Sequence, residues 1–196
     1  MKKIAVIIET ENGKVKATNY GMITLARSQG TELSAFVLDV DAEAVKQDLE
    51  SYGIIRIFDV MLAADQLENQ AVRAQAIARA IREFNIDAIF GLSTASGKDL
   101  LPRIAALLDA PLIMDCISVN LNQKQAKTSQ YSGKTLGTFK IAGNISIFGV
   151  RPNAVEPVKA EISGEILKYD ASHLVSKGFR VIETDKSDEG VKTNLA

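Results

Sequence analysis

Apolar residues recur along this chain in two rhythms, short continuous runs and stripes of three-to-four-residue spacing, and the rhythms alternate over its first two thirds. The runs predict strands at 4–8, 32–38, 56–60, 88–92 and 112–119, since a strand covered on both faces reads as unbroken apolar sequence. The stripes predict helices at 18–28, ending at Gly30, at 41–52, closed by Gly53, and at 66–84, where Ala71, Ala74, Ile77, Ala78 and Ile81 share one side. A further helix carries Leu100, Leu101, Ile104, Ala105, Leu107 and Leu108. Such alternation builds a Rossmann-like α/β fold, a parallel sheet with helices on both faces.

From Leu121 to Lys168 the rhythm changes. Shorter β-rich segments at 126–131, 135–141, 144–150 and 157–167 are separated by Ser-Gly, Ala-Gly-Asn and Arg-Pro-Asn breaks. No helix remains to cover them, so they are expected as antiparallel β additions to the parallel sheet in the C-terminal third. A last strand is expected at 179–183. Residues 184–196 are polar and unpatterned, the composition of a linker or tail, which leaves 1–183 as one α/β domain.

Composition narrows the setting. At 196 residues and 46% hydrophobic content the chain supports one full core. The 23 lysines and arginines nearly balance 24 aspartates and glutamates, so no basic face and no nucleic-acid partner are expected. The single cysteine, Cys116, cannot form an internal disulfide and suits a reducing cytoplasm. The basic start MKKIAVIIET runs directly into Glu9 and Glu11 without a cleavage-type site, and no apolar segment approaches the ~20 residues that span a bilayer, so no membrane insertion is expected. His173, the one histidine, has no nucleophile or carboxylate partner that the sequence identifies, and there is no CxxC or HExxH motif. Neither catalytic nor metal-binding residues are expected.

The chemistry concentrates between the strand at 88–92 and the Leu100 helix. Ser93, Thr94, Ser96 and Gly97 bring hydroxyls and free backbone N–H groups to a helix start, and Lys98 adds a positive charge. Two readings stay open there. Ser96 or Asp99 caps the helix, or the turn binds an anion such as a cofactor phosphate. It matches neither the P-loop nor the GxGxxG pattern. Asp99 and Arg103 stand at i, i+4, suited to an ion pair, although Arg103 is alternatively placed to reach Arg151 and Pro152 or a partner. Asp115, near the end of its strand, is expected to accept hydrogen bonds from the loop Tyr131–Gly133. After the first strand, Glu9 and the Asn12-Gly13 pair ask only for a tight turn.

GLSTASGKDLLPRIAALLD at 91–109, Met114-Asp115, YSGK at 131–134 and VRPNA at 150–154 together resemble the N-terminal domain of the electron-transfer flavoprotein alpha subunit. The resemblance covers residues 1 to 183. Lys98 replaces the commoner arginine, keeping charge but losing the planar donor fork, and Lys134 stands where asparagine is frequent. The resemblance implies an adenine nucleotide alpha hydrolase-like fold. It also implies a heterodimer with a homologous beta subunit, which can hold AMP, carrying electrons from dehydrogenases to an acceptor. The FAD is implied to lie mainly in a C-terminal alpha domain, and this sequence stops where that domain is expected to begin. The chain is then an electron-carrier subunit, expected as a fragment of a longer protein. Its loops Ser93 to Asp99, Tyr131 to Lys134 and Arg151 to Asn153 would serve as brace or interaction surface. The alternative is a free-standing adenine-nucleotide-binding module, with its ligand over the ends of the strands at 4–8 and 88–92.

Overall fold

In the computed structural model, which describes residues 2–30, 32–176, 178, 182 and 183, the apolar runs become strands and the stripes become helices. The order is β1 (Lys3–Ile7), β2 (Thr10–Glu11), β3 (Lys14–Val15), α1 (Thr18–Arg27), β4 (Glu32–Val37), α2 (Ala42–Glu50), β5 (Arg56–Met61), α3 (Gln70–Phe84), β6 (Ala88–Leu92), α4 (Ala95–Leu108) and β7 (Leu112–Asn120). It continues through β8 (Gln125–Gln130), β9 (Thr135–Lys140), β10 (Ser146–Val150) and β11 (Glu165–Asp170). Nine strands form one sheet in the order β11-β5-β4-β1-β6-β10-β7-β8-β9, and β2 and β3 pair as a separate hairpin.

Helices cover both faces. Residues of α1 and α2 pack into one apolar cluster, with Ile4, Val6, Phe90 and Phe148 from the sheet. Those of α3 and α4 pack into the other, with Ala5, Phe36, Phe58 and Ile89. Neighbouring residues of one strand thus feed opposite clusters, which is why the central strands are apolar at every position. Phe36, Phe58, Phe90 and Phe148 are fully buried, each such side chain contributing roughly 1.5–3 kcal/mol by burial. Phe36 stacks on Phe58, and Phe90 lies tilted against Phe148, both pairs at 5.1 Å.

Several sequence expectations need correction. The helix expected at 66–84 begins at Gln70, because the Asn69 side chain caps it by accepting from Ala71 and Val72 N–H; Ala64–Gln66 forms a separate 3-10 turn. Only β8 and β9 are antiparallel additions. The segment 144–150 forms β10, inserted parallel between β6 and β7. Its SIFGV run is buried on both faces, which suits a central strand, and α1 and α4 already stand over the place it fills. The 157–167 segment contributes β11, parallel to β5 at the opposite edge of the sheet. The strand expected at 179–183 lies largely outside the described residues, and the 184–196 tail lies wholly outside them.

Because β10 and β11 sit at distant places, the chain between them crosses the outer side of α1 and α2 as an extended strap. Val158 N–H donates to Thr24 Oγ1 at 3.0 Å and its carbonyl accepts from Arg27 Nη2 at 2.9 Å. Further on, Ala160 N–H meets Ser51 O and Gly164 N–H meets the Glu50 carboxylate at 2.8 Å. Close approach at the start of the strap requires Gly21, where a methyl group would stand 2.2 Å from Val155 O. Gly21→Ala is therefore expected to cost about 1–3 kcal/mol, read as a lowered urea midpoint with unchanged m-value. An unaltered midpoint would show that the strap yields freely.

Candidate functional site

The C-terminal ends of β1, β6, β10 and β7 converge on the start of α4, where the sequence places its hydroxyl-rich turn. Thr94 is the N-cap: its Oγ1 accepts from Gly97 N–H at 3.1 Å. Ser96 and Asp99, the expected caps, do other things, because Thr94 has the extended backbone (ψ 177°) that aims its hydroxyl back at the first turn. Ser96 Oγ meets Gln70 Nε2 at 3.4 Å, and Asp99 pairs with Arg103 Nε at 2.8 Å, the expected i, i+4 contact. Arg103 therefore turns to its own helix and not to Arg151 or Pro152. Gly97 admits the strand end, since a methyl group there would lie 1.8 Å from Leu92 O.

The Thr94 hydroxyl also donates to the carboxylate of Glu9, from the end of β1. That carboxylate pairs with Lys16 at 3.5 Å and is 18% exposed. The Glu9 main chain is clamped in turn by Asn19, fully buried in α1: Glu9 N–H donates to Asn19 Oδ1 at 3.1 Å, and Asn19 Nδ2 donates to Glu9 O at 2.8 Å. The expectation of only a tight turn at Glu9 thus missed a joint of three elements. Two signals were in the sequence: a carboxylate directly after the first apolar run, and an asparagine on the buried stripe of α1. An anion does stand at the positive end of α4, and it belongs to the chain itself.

On the other side of the turn, buried Ser93 lies between β6 and β7. Its N–H donates to Val150 O at 2.8 Å and its Oγ accepts from Asp115 N–H at 2.9 Å. Asp115 adopts φ 55°, a left-handed conformation that aspartate tolerates better than most residues. The β10–β7 register shifts beside it, between Phe148 and Val150. Gly149 leaves room for this kink, because a methyl group there would meet Met114 Sδ at 2.6 Å and Ser93 Oγ at 2.7 Å. The Asp115 carboxylate faces Lys98 Nζ at 3.4 Å, where the sequence reading had placed the Tyr131–Gly133 loop. That loop is a 3-10 turn at the tip of the β8–β9 hairpin, with Tyr131 at φ 49° and 78% exposed and Gly133 at φ 91°. Arg151 N–H donates to Cys116 O at 2.9 Å and its guanidinium reaches Ser129 Oγ at 3.2 Å, while Pro152 and Asn153 carry the turn that follows.

These residues leave little space for a ligand. Between β1, β6 and α4 the crevice lined by Glu9, Arg73, Ser96 and Gly97 encloses about 10 Å³, room for roughly one water. A wider depression of about 250 Å³ opens by Thr18, Gly21 and Asn153 at the start of α1. Glu156 lines it and no cation does, so it does not suit a phosphate. On this geometry the chain's own residues do not fit a flavin dinucleotide by themselves, and no chemical step through one is derived from them. Among the described residues no group of three or more His, Cys, Asp or Glu could hold a metal ion, and no helix is long and apolar enough to cross a membrane.

Two measurements test this joint. Thr94→Val removes both the cap and the bond to Glu9 and is expected to destabilise by about 1–2 kcal/mol. Thr94→Ser keeps both bonds and is expected to retain most of that stability; equal losses in chemical denaturation would contradict the assignment. Burial, reinforced by the Asp115 charge, pushes the Cys116 thiol from about 9 up to about 12. The folded state therefore holds its proton more tightly than the unfolded one, so this contribution is full below about pH 9 and fades as pH rises towards 12. At pH 8 a thiol-specific disulfide reagent is expected to label the urea-unfolded chain and to leave the folded chain unlabelled over the same time.

Comparison with known proteins places this architecture. The family model described as electron transfer flavoprotein domain matches residues 4–174. Among curated relatives, the electron transfer flavoprotein subunit alpha of Syntrophomonas wolfei is 24% identical over 181 residues, covering 91% of this chain and 57% of its own length. A probable mitochondrial electron transfer flavoprotein subunit alpha of Caenorhabditis elegans is 28% identical over 164 residues, 82% of this chain and 48% of its own. The Bacillus subtilis alpha subunit is 26% identical over 181 residues, 87% and 54% respectively. The chain spans about half the length of the curated relatives it matches. With a parallel sheet flanked by helices, an antiparallel hairpin at one end and a domain match from residue 4 to 174, the chain belongs to the electron transfer flavoprotein family and corresponds to the N-terminal domain of its alpha subunit.

Proposed function

We propose that this domain works as the scaffold half of an alpha subunit, pairing with a homologous beta subunit in a complex that carries electrons from dehydrogenases to an acceptor. In this reading the FAD is held mainly by a C-terminal domain outside this sequence. The observation that carries the reading is the self-filled turn: Glu9, Thr94, Ser93, Lys98 and Asp115 spend their polar groups on one another. The stretch Ser93, Thr94, Ser96, Gly97 and Lys98 then acts as a rigid brace at the mouth of the sheet, and redox chemistry belongs to the flavin. Asp99 with Arg103 stiffens α4, while Tyr131, Gly133, Arg151 and Pro152 shape the rim nearest the hairpin. We place the complex in a reducing compartment such as the cytoplasm, in keeping with the free, buried thiol of Cys116.

Co-expression with a homologous beta subunit tests this directly. A stoichiometric complex is expected, with FAD retained only when the C-terminal alpha domain is also supplied. Tight FAD on the isolated chain would overturn the reading. So would thermal stabilisation by adenine nucleotide, because a ligand at ~100 times its dissociation constant adds about 2.7 kcal/mol to a folded protein that binds it.

A further inference from the structure

The near-zero overall charge hides a segregation. From Cys116 to Val155 the chain contains Lys124, Lys127, Lys134, Lys140 and Arg151 and no aspartate or glutamate. All five cations are exposed. The nearest carboxylate before the stretch, Asp115, faces Lys98. These forty residues include the β8–β9 hairpin, so an overall slightly acidic protein projects one basic limb.

The limb is also the open end of the sheet. β9 pairs with β8 on one side and, among the described residues, with no strand on the other. Ile141 N–H donates to Lys124 O at 2.7 Å, and the β8–β9 register is continuous from Gln125–Lys140 to Gln130–Thr135. The two-residue alternation of an antiparallel strand therefore turns the backbone groups of Leu136, Thr138 and Lys140 to the free edge. The same register sets Leu136, Thr138 and Lys140 on one face with Gln125, Lys127 and Ser129. Leu136 is 65% exposed there, and the groove beside it, lined by Ser118, Asn120, Lys127 and Thr138, encloses about 310 Å³. Edge strands are commonly protected by proline, a bulge or an inward charge. β9, with the sequence TLGTFK, has no proline, no register shift against β8 and a charge only at its end.

We infer that β9 is a docking edge for a protein partner that adds an extended, acidic strand to the sheet, its apolar residues covering Leu136 and its carboxylates meeting Lys127, Lys140 and Arg151. A second copy of this chain is disfavoured, since edge-to-edge pairing would set basic limb against basic limb. Nucleic acid is disfavoured because the face centres on an aliphatic side chain and a row of backbone hydrogen-bonding groups, which suit strand addition rather than phosphate tracking. The inference goes beyond the heterodimer reading and does not rest on it.

The test measures binding of a short fluorescent peptide alternating glutamate with valine to the full chain by anisotropy. A lysine–valine peptide and a single-stranded DNA oligonucleotide serve as competing classes. The glutamate peptide is expected to bind, and to weaken about tenfold or more as ionic strength rises from about 0.05 M to about 0.5 M. Lys127→Glu with Lys140→Glu is expected to abolish that binding and to create affinity for the lysine peptide. Thr138→Pro removes an outward N–H while leaving the β8 side of the ladder intact, so it is expected to weaken binding at least tenfold with little change in melting temperature. No binding of the glutamate peptide, equal binding of the lysine peptide, tighter binding of the DNA, or indifference to Thr138→Pro would each overturn the inference. No beta subunit is present in the assay, so its outcome is separate from that of heterodimer formation.

Discussion

The contact on which the mouth of this sheet depends is a carboxylate at the positive end of a helix. Glu9 leaves the central strand β1, receives the Thr94 hydroxyl at the start of α4, and is held along its main chain by Asn19 of α1. A charge at a helix start contributes about 0.3–1 kcal/mol and the cap itself about as much again, modest beside the burial of the core. Its importance is positional. The two faces of the sheet are covered by different helix pairs, and this joint ties one helix from each face to the same strand end.

A parallel α/β sheet ordinarily offers its ligand crevice where neighbouring crossovers depart in opposite directions. Here that place lies between β1 and β6, and the chain fills it with its own anion, its own hydroxyl and a glycine pressed against Leu92 O. The kink at Asp115 extends the same economy: Ser93 takes up the N–H that the left-handed residue presents, and Lys98 takes up the carboxylate. An end of the sheet so fully cross-linked is suited to being leaned on by another body.

The layers of the fold were legible because their signal is repeated many times. Every central strand is apolar on both faces, and every helix carries a stripe, so the rhythm survives any single residue. Strand order was not legible in the same way. The run SIFGV says that β10 is buried, but nothing local says that it enters between β6 and β7, because that place is set by which gap the α1 and α4 layers leave. The same limit separated the two halves of the site. Asp99 and Arg103 are four residues apart on one helix and could be paired from spacing, whereas Glu9 and Thr94 are 85 positions apart, and only the folded sheet makes them neighbours. The cap went to Thr94 rather than Ser96 for a comparable reason, since three adjacent residues all had suitable chemistry and the backbone angle chose among them.

The late insertion of β10 also bears on how the molecule is made. Until the chain has reached Val150, β6 and β7 have no strand between them, and β7 with its hairpin cannot join the sheet that β1, β4, β5 and β6 have already begun. A chain emerging from its N-terminus must therefore hold a half-built sheet with an apolar edge at β6 while more than fifty further residues are synthesised. The strap then carries the chain back across two helices to set β11 at the far side. Assembly order, no less than the final packing, gives the helix α4 and its capped start a protective task, that of covering one face of an unfinished strand.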